Sequence, residues 1–211
     1  MVTSNAWISL LTQHRAIAVI RSANGAVGPK MAKAVAKAGM RLIEITWNSE
    51  SAASQIQQLR DELPHCTIGA GTVLTSDHLD GAIASGAQFV FTPHVNTALI
   101  DRAASQDIPI IPGALSPTEI VTAWQAGASS VKVFPVEAIG GLNYIRSLQG
   151  PLGHIPLIPT GGVTIQSARQ FIEAGAIAVG LSSQLFPNQA IATRDWDLIT
   201  RRSRTLLQNV S

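Results

Sequence analysis

Two ionisable residues stand in apolar runs where neither type is at home. Lys132 lies within Ser130-Val131-Lys132-Val133-Phe134, and Glu44 within Leu42-Ile43-Glu44-Ile45. A lysine taken out of water is costly unless it is paired or neutralised. Desolvation also lowers its pKa, which is what an amine needs to attack a carbonyl and form a Schiff base. A carboxylate buried beside it could be a counter-ion or could carry the protons such chemistry moves. The structural alternative is a plain Lys132–Glu44 ion pair, or a lysine facing outward between helices. The other three lysines, Lys30, Lys33 and Lys37, follow a helical spacing that places them on one solvated face.

Anion binding is suggested by Thr160-Gly161-Gly162 and by Gly180-Leu181-Ser182-Ser183, where bare backbone N–H groups could meet an anion; otherwise Gly161-Gly162 marks a tight turn. Gly69-Ala70-Gly71-Thr72 would let backbone approach a ligand, with the Thr72 hydroxyl free to bond a carboxylate; otherwise Thr72 caps the next helix. The five histidines (His14, His65, His78, His94, His154) are scattered, and no His/carboxylate cluster appears, so neither a metal nor another cofactor is expected. Trp47 follows Glu44 closely enough to line the mouth of a shared site.

The elements that must position these groups alternate. Strand candidates are Ala16–Ile20, Arg41–Thr46, Cys66–Ala70, Gln88–Thr92, Pro109–Ile111, Ser130–Phe134, Pro156–Pro159 and Ile177–Leu181. Amphipathic stretches such as Pro29–Ala38, Ser51–Leu63, Val95–Ser105, Pro117–Gln125 and Thr164–Ala174 separate them. Helix candidates at Ser4–His14 and Arg194–Gln208 flank the set. A small-Gly-small triplet precedes every second strand, with glycines at 39, 86, 127 and 175, each suited to the left-handed turn that ends a helix. Four such units make eight βα pairs, which predicts an α/β fold: one (β/α)8 barrel domain over residues 1–211, with an extra N-terminal helix. Counting five residues on from each glycine reaches Glu44, Phe91, Lys132 and Gly180. Side chains alternate along strands, so these four face the same way, and the carboxylate and the amine converge on one cavity.

Composition narrows the class further. Of 211 residues, 13% are charged and 46% hydrophobic, which excludes a disordered chain. The pI near 9.0 arises from a net charge of only +2, with no long basic run, so nucleic acid is not an expected partner. Single Cys66 excludes an internal disulfide and fits a reducing compartment. No charged leader with an apolar run and no apolar stretch of about 18 residues is seen, so a cytoplasmic protein without membrane attachment is expected.

Five ordered motifs then resemble one family: Glu44-Ile45-Thr46-Trp47-Asn48, Gly69-Ala70-Gly71-Thr72-Val73, Ile111-Pro112-Gly113, Val131-Lys132-Val133-Phe134-Pro135 and Pro159-Thr160-Gly161-Gly162. The chain is similar to the KDPG/KHG aldolases, class I enzymes acting on 2-keto-3-deoxy-6-phosphogluconate and 4-hydroxy-2-oxoglutarate. The resemblance implies a homotrimer of barrels that releases pyruvate and an aldehyde, with oxaloacetate decarboxylation as a side activity. It assigns Lys132 to the Schiff base, Glu44 to acid/base work and Thr72 to the pyruvyl carboxylate. It assigns Thr160, Gly161, Gly162 and Ser182 to a distal phosphate, Pro93 and Phe134 to the site lining, and Arg21 to an anionic end of the substrate. Asn48 departs from the arginine that commonly binds the keto-acid carboxylate; relatives on the phosphogalactonate branch share the asparagine, which keeps 2-keto-3-deoxy-6-phosphogalactonate open as a substrate. Thr92-Pro93-His94 departs from Ser-Pro-Gly, and the imidazole could replace part of the lost charge. A metal-assisted, epimerase-like sugar-phosphate barrel and a non-catalytic protein that binds keto acids reversibly are the remaining alternatives.

Overall fold

The computed structural model describes residues 3–211. Its strands are β1 (Ala16–Ile20), β2 (Leu42–Thr46), β3 (Thr67–Gly71), β4 (Val90–Phe91), β5 (Ile110–Ile111), β6 (Gly113–Ala114), β7 (Val131–Val133), β8 (Leu157–Pro159) and β9 (Val179–Leu181). All pairings are parallel, in the orders β5-β4-β3-β2-β1-β9 and β6-β7-β8. The two sheets are one curled wall. β5 and β6 are halves of a single barrel strand divided at Pro112, which has no N–H for the ladder but whose carbonyl accepts from Lys132 N at 2.9 Å. A Thr160–Gly180 bridge and Ile177 N donating to Leu157 O at 3.1 Å join β8 to the β9 segment and complete the circuit.

Helices cover the outside: α1 (Ser4–His14) precedes β1, followed by α2 (Gly28–Ala38), α3 (Ala52–Glu62), α4 (Ser76–Ala84), α5 (Thr97–Ala104), α6 (Pro117–Gln125), α7 (Gly141–Leu152), α8 (Ala168–Glu173), α9 (Asn188–Ala192) and α10 (Trp196–Val210). The fold is therefore the expected TIM-barrel-like α/β architecture with an additional N-terminal helix. None of the helices among the described residues is long and apolar enough to cross a membrane. Gly39, Gly86, Gly127 and Gly175 all have φ between +88° and +112°, so the four triplets do end helices through the left-handed region.

Several boundaries shift for local reasons. The helix expected over Thr164–Ala174 starts only at Ala168, because Thr164 and Ser167 exchange bonds in their own turn, each backbone N–H donating to the other's hydroxyl at 3.0 Å. The last helix begins at Trp196 instead of Arg194, which is left-handed at φ 57°; Asp195 caps it by accepting from Leu198 N.

Strand parity sorts the core into two regions. Ile43 and Ile45 of β2, and Val131 and Val133 of β7, pack outward under the helices, while Ile17, Val19, Leu42, Phe89, Phe91, Ile111, Ile158 and Ala178 fill the barrel. The amino-terminal mouth of the barrel is stopped by Trp7 and Leu11 of α1, both fully buried in that interior cluster. The Trp7 ring lies 4.8 Å from Phe89 and 6.3 Å from Phe91, and its indole N–H donates to Ser130 Oγ at 3.1 Å. Trp7→Ala should therefore cost about 3–5 kcal/mol, since it opens a cavity and strips the buried Ser130 hydroxyl of its partner. Urea unfolding of the two proteins measures this, and a loss under about 1 kcal/mol would show that the plug is dispensable.

Candidate active site

At the carboxyl ends of the strands lies a cavity of about 210 Å³. The layer counted from the glycine repeat faces it as expected: Glu44 of β2, Lys132 of β7 and Gly180 of β9 line it, and Phe91 of β4 lies beneath. Lys132 is 7% exposed, with Nζ 4.6 Å from the Phe134 ring centre and 5.6 Å from that of Phe91. Glu44 is 1% exposed, and its Oε1 has no hydrogen-bond partner. The ion pairs among the described residues are all between exposed side chains, and neither Glu44 nor Lys132 belongs to one. The two groups share the cavity without a direct salt bridge, so the plain structural ion pair is not what the molecule contains.

Their electrostatics follow from that arrangement. Burial pushes the Lys132 pKa below that of a free lysine; Glu44 opposes this and Arg21 reinforces it. Burial pushes the Glu44 pKa up, against the pull of Lys132 and Arg21. The site thus favours a neutral amine and a protonated carboxyl to a degree that solvent-exposed groups would not. Arg21 stands at the exposed rim of the same cavity. Arg21→Met should move the acid limb of kcat/KM to higher pH, because removing a like charge lets the Lys132 ammonium persist further. A pH–rate profile checks this, and an unmoved limb would assign the depression to burial alone.

Thr72, Pro93 and Phe134 line the cavity walls. Thr72 does not cap α4, whose cap is Thr75, with its side chain accepting from His78 N. Instead Thr72 sits at φ +56°, a conformation that is uncommon outside glycine and that collects at functional sites. The glycines before it have a different use from the one expected. A Cβ on Gly69 would meet the Phe89 ring and one on Gly71 would meet the Glu44 carboxyl, so this strand is thinned for the protein's own side chains.

The far end is formed by Thr160, Gly161, Gly162 and Val163 after β8 and by Ser182, Ser183 and Gln184 after β9. Gly161 and Gly162 have φ of +82° and +100°, and a side chain on Gly162 would run into Glu137. The backbone N–H groups of Gly162, Ser182, Ser183 and Gln184 have no hydrogen-bond partner among the described residues, whereas Gly161 is tied to β9 through the Thr160–Gly180 bridge. Such bare, clustered donors suit an anion.

Three expectations fail here. Asn48 is exposed in the turn after β2 and does not line the cavity. Trp47 does not line it either: its ring packs on His78 at 6.3 Å and over Gly81 of α4. His94 lies in a separate groove of about 550 Å³ between the starts of α5 and α6, which adjoins the cavity only through Pro93 and Phe134 and holds no lysine. Of the lining residues that sequence reasoning left unnamed, Val19 follows from strand parity with Ile17, whereas nothing local marks Val163 or Gln184.

A family model described as KDPG and KHG aldolase matches residues 8–202. The chain belongs to the KDPG and KHG aldolase family. It is 37% identical to 2-dehydro-3-deoxy-phosphogluconate aldolase of Haemophilus influenzae over 84% of each chain, and 32% identical to the KHG/KDPG aldolase of Escherichia coli strain K12, again over 84% of each. Its fold superposes with a TM-score of 0.87 on KDPG aldolase from Legionella pneumophila, which carries pyruvate as a covalent carbinolamine; identity is 26%, over 94% of this chain and 97% of that one. Membership makes this barrel an aldolase, a carbon–carbon lyase, and favours that reading over the epimerase-like alternative.

Proposed function

We propose that this family member is a class I aldolase over the whole of residues 1–211, with Lys132 as its Schiff-base nucleophile. The observation that carries the reading is a lysine 7% exposed, without an ion pair, in a cavity it shares with the buried Glu44 carboxyl, whose Oε1 has no partner. The neutral Lys132 amine adds to the C2 carbonyl of a 2-keto acid, and the carbinolamine loses water with a proton from Glu44. In the resulting iminium, ionised Glu44 takes the C4 hydroxyl proton, the C3–C4 electrons flow to the iminium nitrogen, and the aldehyde departs. The enamine takes a proton at C3, and water then hydrolyses the imine to pyruvate and free Lys132. Oxaloacetate would lose carbon dioxide into the same electron sink.

The relatives' names support 2-keto-3-deoxy-6-phosphogluconate, cleaved to pyruvate and glyceraldehyde 3-phosphate, and 4-hydroxy-2-oxoglutarate, cleaved to pyruvate and glyoxylate, as substrates. Thr72 and Arg21 suit the keto-acid carboxylate as hydroxyl donor and cation. The bare N–H groups of Gly162 and Ser182 suit the distal phosphate, with Gly161 lining the same end, and Thr160, Pro93 and Phe134 shape the walls. The family resemblance further supports a cytoplasmic homotrimer serving the Entner–Doudoroff route. Incubation with pyruvate and borohydride, followed by peptide mass spectrometry, tests the core claim: the adduct should map to Lys132, and an unmodified Lys132 would overturn it.

A further inference from the structure

Arg202 lies on α10, outside the cavity, yet it reaches one of the loops that form its far end. The half-buried guanidinium donates from Nε to the Gln184 carbonyl at 2.6 Å. The segment it grips is a single closed turn: Leu185 N and Phe186 N both donate to Ser182 O, at 2.8 and 3.1 Å, and the Leu185 and Phe186 side chains are buried beneath it. In a turn of this kind the carbonyls point one way and the leading N–H groups the other. The unpartnered N–H groups of Ser182, Ser183 and Gln184 belong to the end that lines the cavity, and the Gln184 carbonyl to the end that meets Arg202.

We infer that Arg202 is a positioning residue for the substrate's distal phosphate. It fixes the Gln184 peptide from behind and polarises the turn, so that the free N–H groups on the opposite side are held in place and made stronger donors. A charge-assisted bond at 2.6 Å is of the strong class, and a cation at the carbonyl end of aligned peptides favours a negative charge at the other. Arg202 itself does not line the cavity, so its effect is on binding of the phosphorylated end and not on chemistry at C2. The sequence offers no hint of it, because residue 202 sits in an ordinary-looking basic stretch, Arg201-Arg202-Ser203-Arg204.

The inference rests on the distal-phosphate reading proposed above, and the experiment separates the two. Wild type, Arg202→Gln and Arg202→Lys are compared for kcat and KM on 2-keto-3-deoxy-6-phosphogluconate and on unphosphorylated 4-hydroxy-2-oxoglutarate, with inorganic phosphate as inhibitor and pyruvate–borohydride trapping as a check on the folded site. Arg202→Gln should raise KM for the phosphorylated substrate and the Ki for phosphate about tenfold, leave kcat and trapping within about twofold, and leave the unphosphorylated substrate unaffected; Arg202→Lys should restore part of the loss. If Arg202→Gln does not fold, Arg202→Lys carries the test through a smaller shift confined to the phosphorylated substrate and phosphate. Equal changes for both substrates, or none, would overturn the role of Arg202 while leaving the phosphate reading intact. A wild type indifferent to phosphate and to the phosphorylated end would overturn both.

Discussion

Lys132→Met yields a folded protein whose kcat/KM for aldol cleavage is lower by about 10⁵-fold or more, and in which borohydride with pyruvate leaves no adduct. The size of the loss follows from the lack of a substitute. Lys30, Lys33 and Lys37 sit on α2, outside the barrel, and the rim cation Arg21 carries a delocalised guanidinium that cannot act as a nucleophile. Methionine has similar length and would rest against Phe91 and Phe134, where Lys132 Nζ now lies over the rings, so folding is retained. Stability should rise at neutral pH. Burial lowers the folded-state pKa of Lys132 below its unfolded value of 10.5, so the wild type is penalised most below the folded pKa and recovers as pH climbs toward 10.5. Steady-state kinetics, trapping and chemical denaturation on one preparation check all three statements. Retained cleavage would remove Lys132 from the mechanism.

Glu44→Gln should lower kcat about 10²–10⁴-fold while pyruvate can still be trapped, more slowly, on Lys132. Glutamine keeps the shape but can neither take the C4 hydroxyl proton nor return one. This separates a proton carrier from a counter-ion, whose loss would change binding and the Lys132 pKa more than turnover. The stability change has a defined sign. Burial raises the folded pKa of Glu44 above 4.5, so the native state binds the extra proton and stability falls as pH rises from 4.5 through the folded pKa. Glu44→Gln removes that dependence, and its advantage over wild type should grow across the same window. An undiminished kcat would assign the proton transfers to water.

Much of the site could be read without coordinates because the barrel repeats. A glycine that must be left-handed marks the end of each second helix, the next strand starts close behind, and a period of two does the rest. Counting five positions from Gly39, Gly86, Gly127 and Gly175 reaches the layer that holds Glu44, Phe91, Lys132 and Gly180. The same parity, counted three positions on, reaches Leu42, Phe89, Ser130 and Ala178 in the layer below, which α1 seals. Where the expectation failed, contacts distant in sequence decided the outcome. Gly69 and Gly71 read as places where backbone could approach a ligand, but the side chains that take the space beside them are Phe89 and Glu44. Trp47 read as a site residue, but α4 offers it Gly81 and His78 to pack on. Asn48 read as the substitute for a carboxylate-binding arginine, but the turn after β2 leaves it exposed and off the cavity wall.

By itself the sequence determined the alternation of elements, the common facing of the two ionisable groups and the glycines of the far end, because helix termination and strand parity are local properties of the backbone. Only the tertiary structure decided that Lys132 and Glu44 share a cavity without pairing, that Arg202 reaches across to the Gln184 carbonyl, and that burial outweighs their mutual attraction in setting both pKa values. Desolvation depends on every chain segment that excludes water from a point, and no spacing along one segment records it.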